Sequence, residues 1–132
     1  MSELDSKLTV IADKINELSS MDYHNDDYDH LEEEIHELED KLMEDYGKYL
    51  EEVFNDVHDE YCSDNDVLMP IAYLAHKYLK TESGYDVPAS EGVPVDADDF
   101  PGKDTKLVLV PSPVRILLQV DDSEKIEVWR PN

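Results

Sequence analysis

Residues 27–61 read DYDHLEEEIHELEDKLMEDYGKYLEEVFNDVHDEY. Apolar side chains return at Leu31, Ile35, Leu38, Leu42, Tyr46, Tyr49, Val53, Val57 and Tyr61, at the spacings of three and four that line one side of an α-helix. No proline interrupts the run, and Gly47 is its only glycine. A helix over these residues would be about 52 Å long at ~1.5 Å per residue. Asp29 followed by Glu32 predicts a capping box at its start. Met43, Leu50 and Phe54 widen the apolar side of the second half, as when a helix leaves a two-helix seam and enters a globular core.

Upstream, Leu4, Leu8, Ile11, Ile15 and Leu18 form a narrow, coiled-coil type seam and predict a helix from about Glu3 to Ser19. Residues 20–27 break the pattern, so the two helices are expected to fold back as an antiparallel hairpin, the first covering the Leu31 to Leu42 half of the second. The other half needs another neighbour. Residues 66–80 are expected to supply it as a third helix, with Val67, Leu68, Ile71, Ala72, Ala75, Tyr78 and Leu79 on one side, Lys77 and Lys80 in the last turn, and Pro70 near the start.

Residues 81–105 are rich in proline, glycine and aspartate and read as a long surface connection with a short strand at Val93 to Val95. The period then becomes two, predicting strands at Lys106 to Val110, Val114 to Val120 and Lys125 to Arg130, the last two joined by a turn at Asp121 to Glu124. Val114, Ile116, Leu118, Val120, Ile126 and Val128 should face the helices. Leu117 and Trp129 fall on the opposite side, where they either meet the 81–105 segment or mark a contact surface. The expected fold is α+β, one domain over 1–132: a helical part at 1–80, the connection at 81–105, and an antiparallel sheet of about three strands at 106–130.

The chain holds 34 acidic and 11 basic residues, a formal net charge of −23. Between Asp22 and Asp66 nineteen acids face only Lys41 and Lys48. Such a field repels nucleic acid and anionic membrane and attracts cations or basic protein surfaces. Salt adaptation is a rival origin of the charge. Cys62 is the only cysteine, which excludes an internal disulfide and suits a reducing compartment. The acidic first residues do not resemble a secretory signal, and no run approaches the ~20 apolar residues of a membrane span, so a cytoplasmic protein is expected.

The densest set of metal-ligand types lies between His24 and Glu37. On a helix His30 neighbours Glu33, Glu34 and Glu37, so imidazole and carboxylates from adjacent turns could hold a divalent cation; a solvated helix side gives the same pattern. Glu33-x-x-His36 has the form found in di-iron bundles, but its best second copy is Asn55-x-x-His58, where asparagine cannot bridge. Glu34-x-x-Glu37 and Asp56-x-x-Asp59 resemble the magnesium-binding carboxylates of helical nucleotide pyrophosphohydrolases. Here both pairs lie on one helix roughly 30 Å apart and could converge only across a dimer. His58 and Cys62 are one turn apart, and His76 would join them if the second and third helices packed antiparallel, giving an enzyme-like group with Asp59 nearby. The plainer reading makes Cys62 a small buried hydrophobe and His58 a surface residue.

Glycine-rich phosphate loops, a G-x-S-x-G elbow and an H-E-x-x-H pair are all missing, and the basic residues are too few and scattered for phosphate contacts. The residues therefore fit best a non-enzymatic acidic interaction protein of the adaptor, secretion-chaperone, immunity or inhibitor type. Glu33, Glu37, Glu44 and Glu51 would dock a basic protein surface, with Leu117 and Trp129 as an apolar contact and a homodimer through the seam left open. Mimicry of nucleic acid is subordinate, since one net charge per ~4 Å of helix is dilute beside ~1.7 Å for duplex DNA. The alternative is a metal-binding protein or metal-dependent hydrolase built on His30, Glu33, Glu34, Glu37, His58, Cys62 or His76. No motif demands a cofactor, a divalent cation being the one candidate.

Overall fold

The computed structural model describes every residue except Met1, Tyr23, Ser83, Ser123 and Asn132, and the backbone but not the side chain of Ser2. Among the described residues two helices, α1 (Ser2–Ser19) and α2 (Tyr28–Tyr61), precede a 3₁₀ turn at Pro70–Tyr73 and six strands. The ion pairs Lys7–Asp45 and Lys14–Glu34 run in opposite senses along the two helices, so they form the antiparallel hairpin that the seam implies. Leu4, Leu8 and Ile11 of α1 and Leu31, Ile35 and Leu42 of α2 are buried. The predicted capping box is not used: the residue before α2 is Asp27, helical in backbone and without a side-chain capping bond. Asn25 shapes the entry instead, its Oδ1 accepting from the Asp27 N–H at 2.9 Å and its carbonyl from the Tyr28 N–H at 3.0 Å.

The second half of α2 does enter a globular core, with Leu50, Val53, Phe54 and Val57 buried. Its neighbour is not a third helix. Residue 69, before Pro70, is extended (ψ 142°), as the proline ring requires, and only one 3₁₀ turn follows. Beyond it the backbone donors are claimed by side chains, two of them from outside the segment: Ala75 N–H by the nearby Tyr78 Oη at 3.0 Å, His76 N–H by Glu91 Oε1 at 2.6 Å, and Tyr78 N–H by Asn16 Oδ1 at 2.7 Å. A backbone so partnered cannot also make i→i−4 bonds, and these tertiary bonds override the helical pattern of 66–80.

The expected connection at 81–105 is itself structured. Strands β1 (Leu79–Thr81) and β2 (Gly84–Asp86) make an antiparallel pair, and β3 (Val93–Val95), anticipated from sequence, joins a larger sheet. That sheet also contains β4 (Thr105–Val110), β5 (Arg115–Val120) and β6 (Glu124–Trp129), all antiparallel in the order β3-β4-β5-β6, so it has four strands rather than three. The turn expected between β5 and β6 includes Ser123, which lies outside the described residues. Gly84 (φ 146°) passes so close to the β4–β5 connection that a Cβ there would stand 1.7 Å from the Ser112 carbonyl oxygen, a position open only to glycine.

Both sheet sides are covered, which explains why β4 and β5 read as nearly continuous apolar runs. Leu107, Leu109, Ile116 and Leu118 join the helices and Tyr73 in the principal core. Val108, Val110 and Leu117 face the other way and pack with Tyr78, Tyr85, Val87 and Ala12. Leu117 is therefore buried beneath the 75–87 segment, the first of its two sequence alternatives. Trp129 is on the helix side, contrary to the strict alternation expected. A register shift between Ile116 and Leu117 pairs Ile116 with Trp129 and Leu117 with Glu127, so one extra residue on β6 inverts the parity.

Candidate interaction surface

α2 carries fourteen carboxylates and two lysines. Lys14 binds Glu34 at 2.6 Å, Lys7 binds Asp45 at 3.4 Å, and Lys41 lies 3.4 Å from Asp45 and 4.0 Å from Glu44. Among the described residues the other eleven acids of the helix are in no ion pair, and all of them except Glu39 are exposed. The hydrogen bond from Lys14 lowers the pKa of Glu34 and raises that of Lys14 itself. Desolvation works against the Asp45 carboxylate, but the Lys41 and Lys7 ammoniums outweigh it and leave the pKa below the ordinary value.

Glu33, Glu37, Glu44 and Glu51 all lie on the solvent side of α2. The two apolar candidates separate. Leu117 is only 6% exposed and is buried. Trp129 is half-buried and meets Tyr49 of α2 edge to face, ring centroids 6.2 Å apart. Tyr49 was read as a stripe residue, yet it is exposed. Together they form an aromatic pair between β6 and the acid-edged α2, a setting that suits a guanidinium or ammonium over a ring.

The metal-ligand candidates fall in separate places. His30, Glu33, Glu34 and Glu37 line a shallow surface depression, with Glu34 engaged by Lys14. Among the described residues no group of three or more His, Cys, Asp or Glu side chains is arranged to hold an ion. His58 is not a surface residue; it is buried, with both ring nitrogens occupied. Tyr73 Oη lies 2.8 Å from Nε2 and accepts the Leu68 N–H at 3.1 Å, so the network assigns the Tyr73 proton to Nε2 and the Nδ1 proton to the Asn65 carbonyl at 3.2 Å. Cys62 is buried, and burial, aided by Asp98, pushes its thiol up to about 11. The His76 side chain is 97% exposed and sits at Glu91, so the absence of a third helix leaves it apart from His58 and Cys62.

A cleft of about 480 Å³ opens where the end of α1, the first half of α2 and residues 71–76 meet. Ile15, Leu18, Ile35, Ile71 and Leu74 supply apolar walls, while Glu32, Glu39, His36 and His76 also border it. Burial raises the Glu39 pKa, with His36 opposing and Asp40 adding to the shift. The sequence carried a signal for Glu39 that the stripe reading passed over: it stands four residues after Ile35 and three before Leu42, inside the apolar stripe. The cleft itself had no such signal, since it depends on where residues 71–76 pass.

Comparison of the chain with protein-family models, curated proteins and solved structures finds no significant match. Among the described residues no helix is long and apolar enough to cross a membrane.

Proposed function

We propose that this chain is a non-enzymatic, cytoplasmic interaction protein of the adaptor, chaperone, immunity or inhibitor type, whose α2 surface docks a basic region of a partner protein. The observation that carries this reading is the row of exposed acids along α2 that are in no ion pair among the described residues. Uncompensated carboxylates repel one another and weaken the helix, by ~0.2–0.5 kcal/mol per i,i+3 or i,i+4 pair. A basic partner relieves that repulsion and is steered by the same field. The Tyr49–Trp129 pair adds a place for an arginine or lysine beside the acids. A thiolate mechanism is disfavoured because Cys62 is buried and its pKa is about 11.

The test is fluorescence anisotropy of a labelled lysine-rich peptide against the wild type and a variant with Glu33, Glu37, Glu44 and Glu51 changed to Gln. Binding should weaken as salt rises and fall by about tenfold in the variant, roughly 1.4 kcal/mol. Binding that ignores both salt and the four substitutions would remove the basis of the reading.

A further inference from the structure

We propose that the cleft between α1, α2 and residues 71–76 is the seat of an anchor side chain: a partner segment inserts an aliphatic residue between Ile15, Leu18, Ile35 and Leu74 and places a neighbouring lysine or arginine against Glu39. This rests on the docking reading of α2 and says where on the molecule the partner gains affinity beyond charge.

At about 480 Å³ the cleft is within the ~300–1,000 Å³ of ordinary ligand sites, with the same mixture of apolar walls and a few polar groups. Its carboxylates, Glu32 and Glu39, have no lysine or arginine beside them in the lining. Glu39 is half-buried and, among the described residues, in no ion pair. Within the cleft only the histidines His36 and His76 stand near it, His36 opposing the effect of its burial, and a lysine or arginine delivered there gains more than one paired with an exposed acid. The apolar walls alone would accept any hydrophobic side chain; the carboxylates select a basic neighbour. A second copy of the chain is a poor occupant, because two bodies of net charge −23 repel and each carries only 11 basic residues against 34 acids.

Two synthetic peptides of equal charge test this, one of lysine and leucine and one with serine in place of leucine. The wild type should bind the leucine peptide about tenfold or more tightly than the serine peptide, the factor that burial of one aliphatic side chain supplies. Ala72→Trp, at an exposed position in the cleft wall, should fill the space and abolish that difference while leaving the serine peptide unaffected. Glu39→Gln should weaken the leucine peptide more than the serine peptide. Amide shifts on adding the leucine peptide should concentrate at residues 71–76, and each variant's melting curve reports whether it is folded. The proposal is overturned if the leucine advantage survives Ala72→Trp, if the shifts stay on the outer acids of α2, or if a peptide-free dimer dissociates in Ala72→Trp. Failure of both peptides to bind in low salt would instead defeat the docking reading itself, and the anchor with it. Binding of both peptides with no leucine advantage would defeat the anchor alone.

Discussion

Tyr73 and His58 hold one another inside the core: the Tyr73 hydroxyl lies 2.8 Å from His58 Nε2, while the Tyr73 ring stacks on Phe54 at 4.0 Å between centroids. Tyr73 stands on the 3₁₀ turn and His58 on the last turns of α2, so this pair fastens the non-helical 66–76 passage to the long helix. Tyr73→Phe keeps the stack but leaves His58 Nε2 and the Leu68 N–H without their partner. Urea unfolding should show a loss of about 1–3 kcal/mol. A change under ~0.5 kcal/mol would mean that the hydroxyl is not what secures the passage.

Leu117 and Ile116 lie on opposite sides of one strand, and both sides are buried. Leu117→Ala should therefore cost about 2–5 kcal/mol, in the same range as Ile116→Ala, by removing a side chain packed beneath Tyr78, Tyr85 and Val87. Near-wild-type stability of Leu117→Ala would show that the 75–87 segment does not close over the sheet.

Burial raises the Glu39 pKa in the folded chain, so within the affected range the folded state binds more protons than the unfolded state. Stability then falls as pH rises from the unfolded value, about 4.3, through the raised folded value. Glu39→Gln should remove that share of the decline and be the more stable form at neutral pH. Other carboxylates act in both proteins, so the difference between the two urea-derived stability curves is the quantity to read. Parallel curves between pH 4 and 7 would contradict the desolvated position of Glu39.

Screening should stabilise the protein. The Debye length shrinks from ~30 Å at 0.01 M salt to ~8 Å at 0.15 M, so the melting temperature should rise over that interval. Changing Glu33, Glu37, Glu44 and Glu51 to Gln should raise stability in low salt, since only Glu44 of the four has an ion-pair partner among the described residues, at 4.0 Å and exposed. Magnesium or calcium should bind as several weak ions that sodium displaces. One saturable ion per chain, lost on His30→Ala, would point to a specific site in its place.

The parts legible in the sequence share a physical character: each is decided by neighbours within a few turns or one strand. The Leu4 to Leu18 seam, the long helix and the widening at Leu50 and Phe54 all follow from local period, and the strand at Val93 to Val95 from two valines within a proline- and glycine-rich connection. The exposed acids of α2 were equally readable, because a carboxylate on the outer side of an amphipathic helix has nowhere else to go. The predicted third helix failed at a particular place. Its apolar period was genuine, but those side chains are buried by a 3₁₀ turn and an extended segment whose N–H groups are taken by Tyr78, Glu91 and Asn16.

By itself the sequence determined the α+β class, the helical hairpin and an acidic helix facing solvent, since periodicity and charge are properties of neighbouring residues. Tertiary structure alone decided that Leu117 is covered, that Trp129 turns to Tyr49, that His58 is an interior residue bonded to Tyr73, and that a cleft opens beside Glu39. Each of these depends on contacts between distant segments or on a one-residue bulge that reverses every later side chain. Alternation along a strand says which residues share a side, but only the path of residues 66–91 says which side meets water.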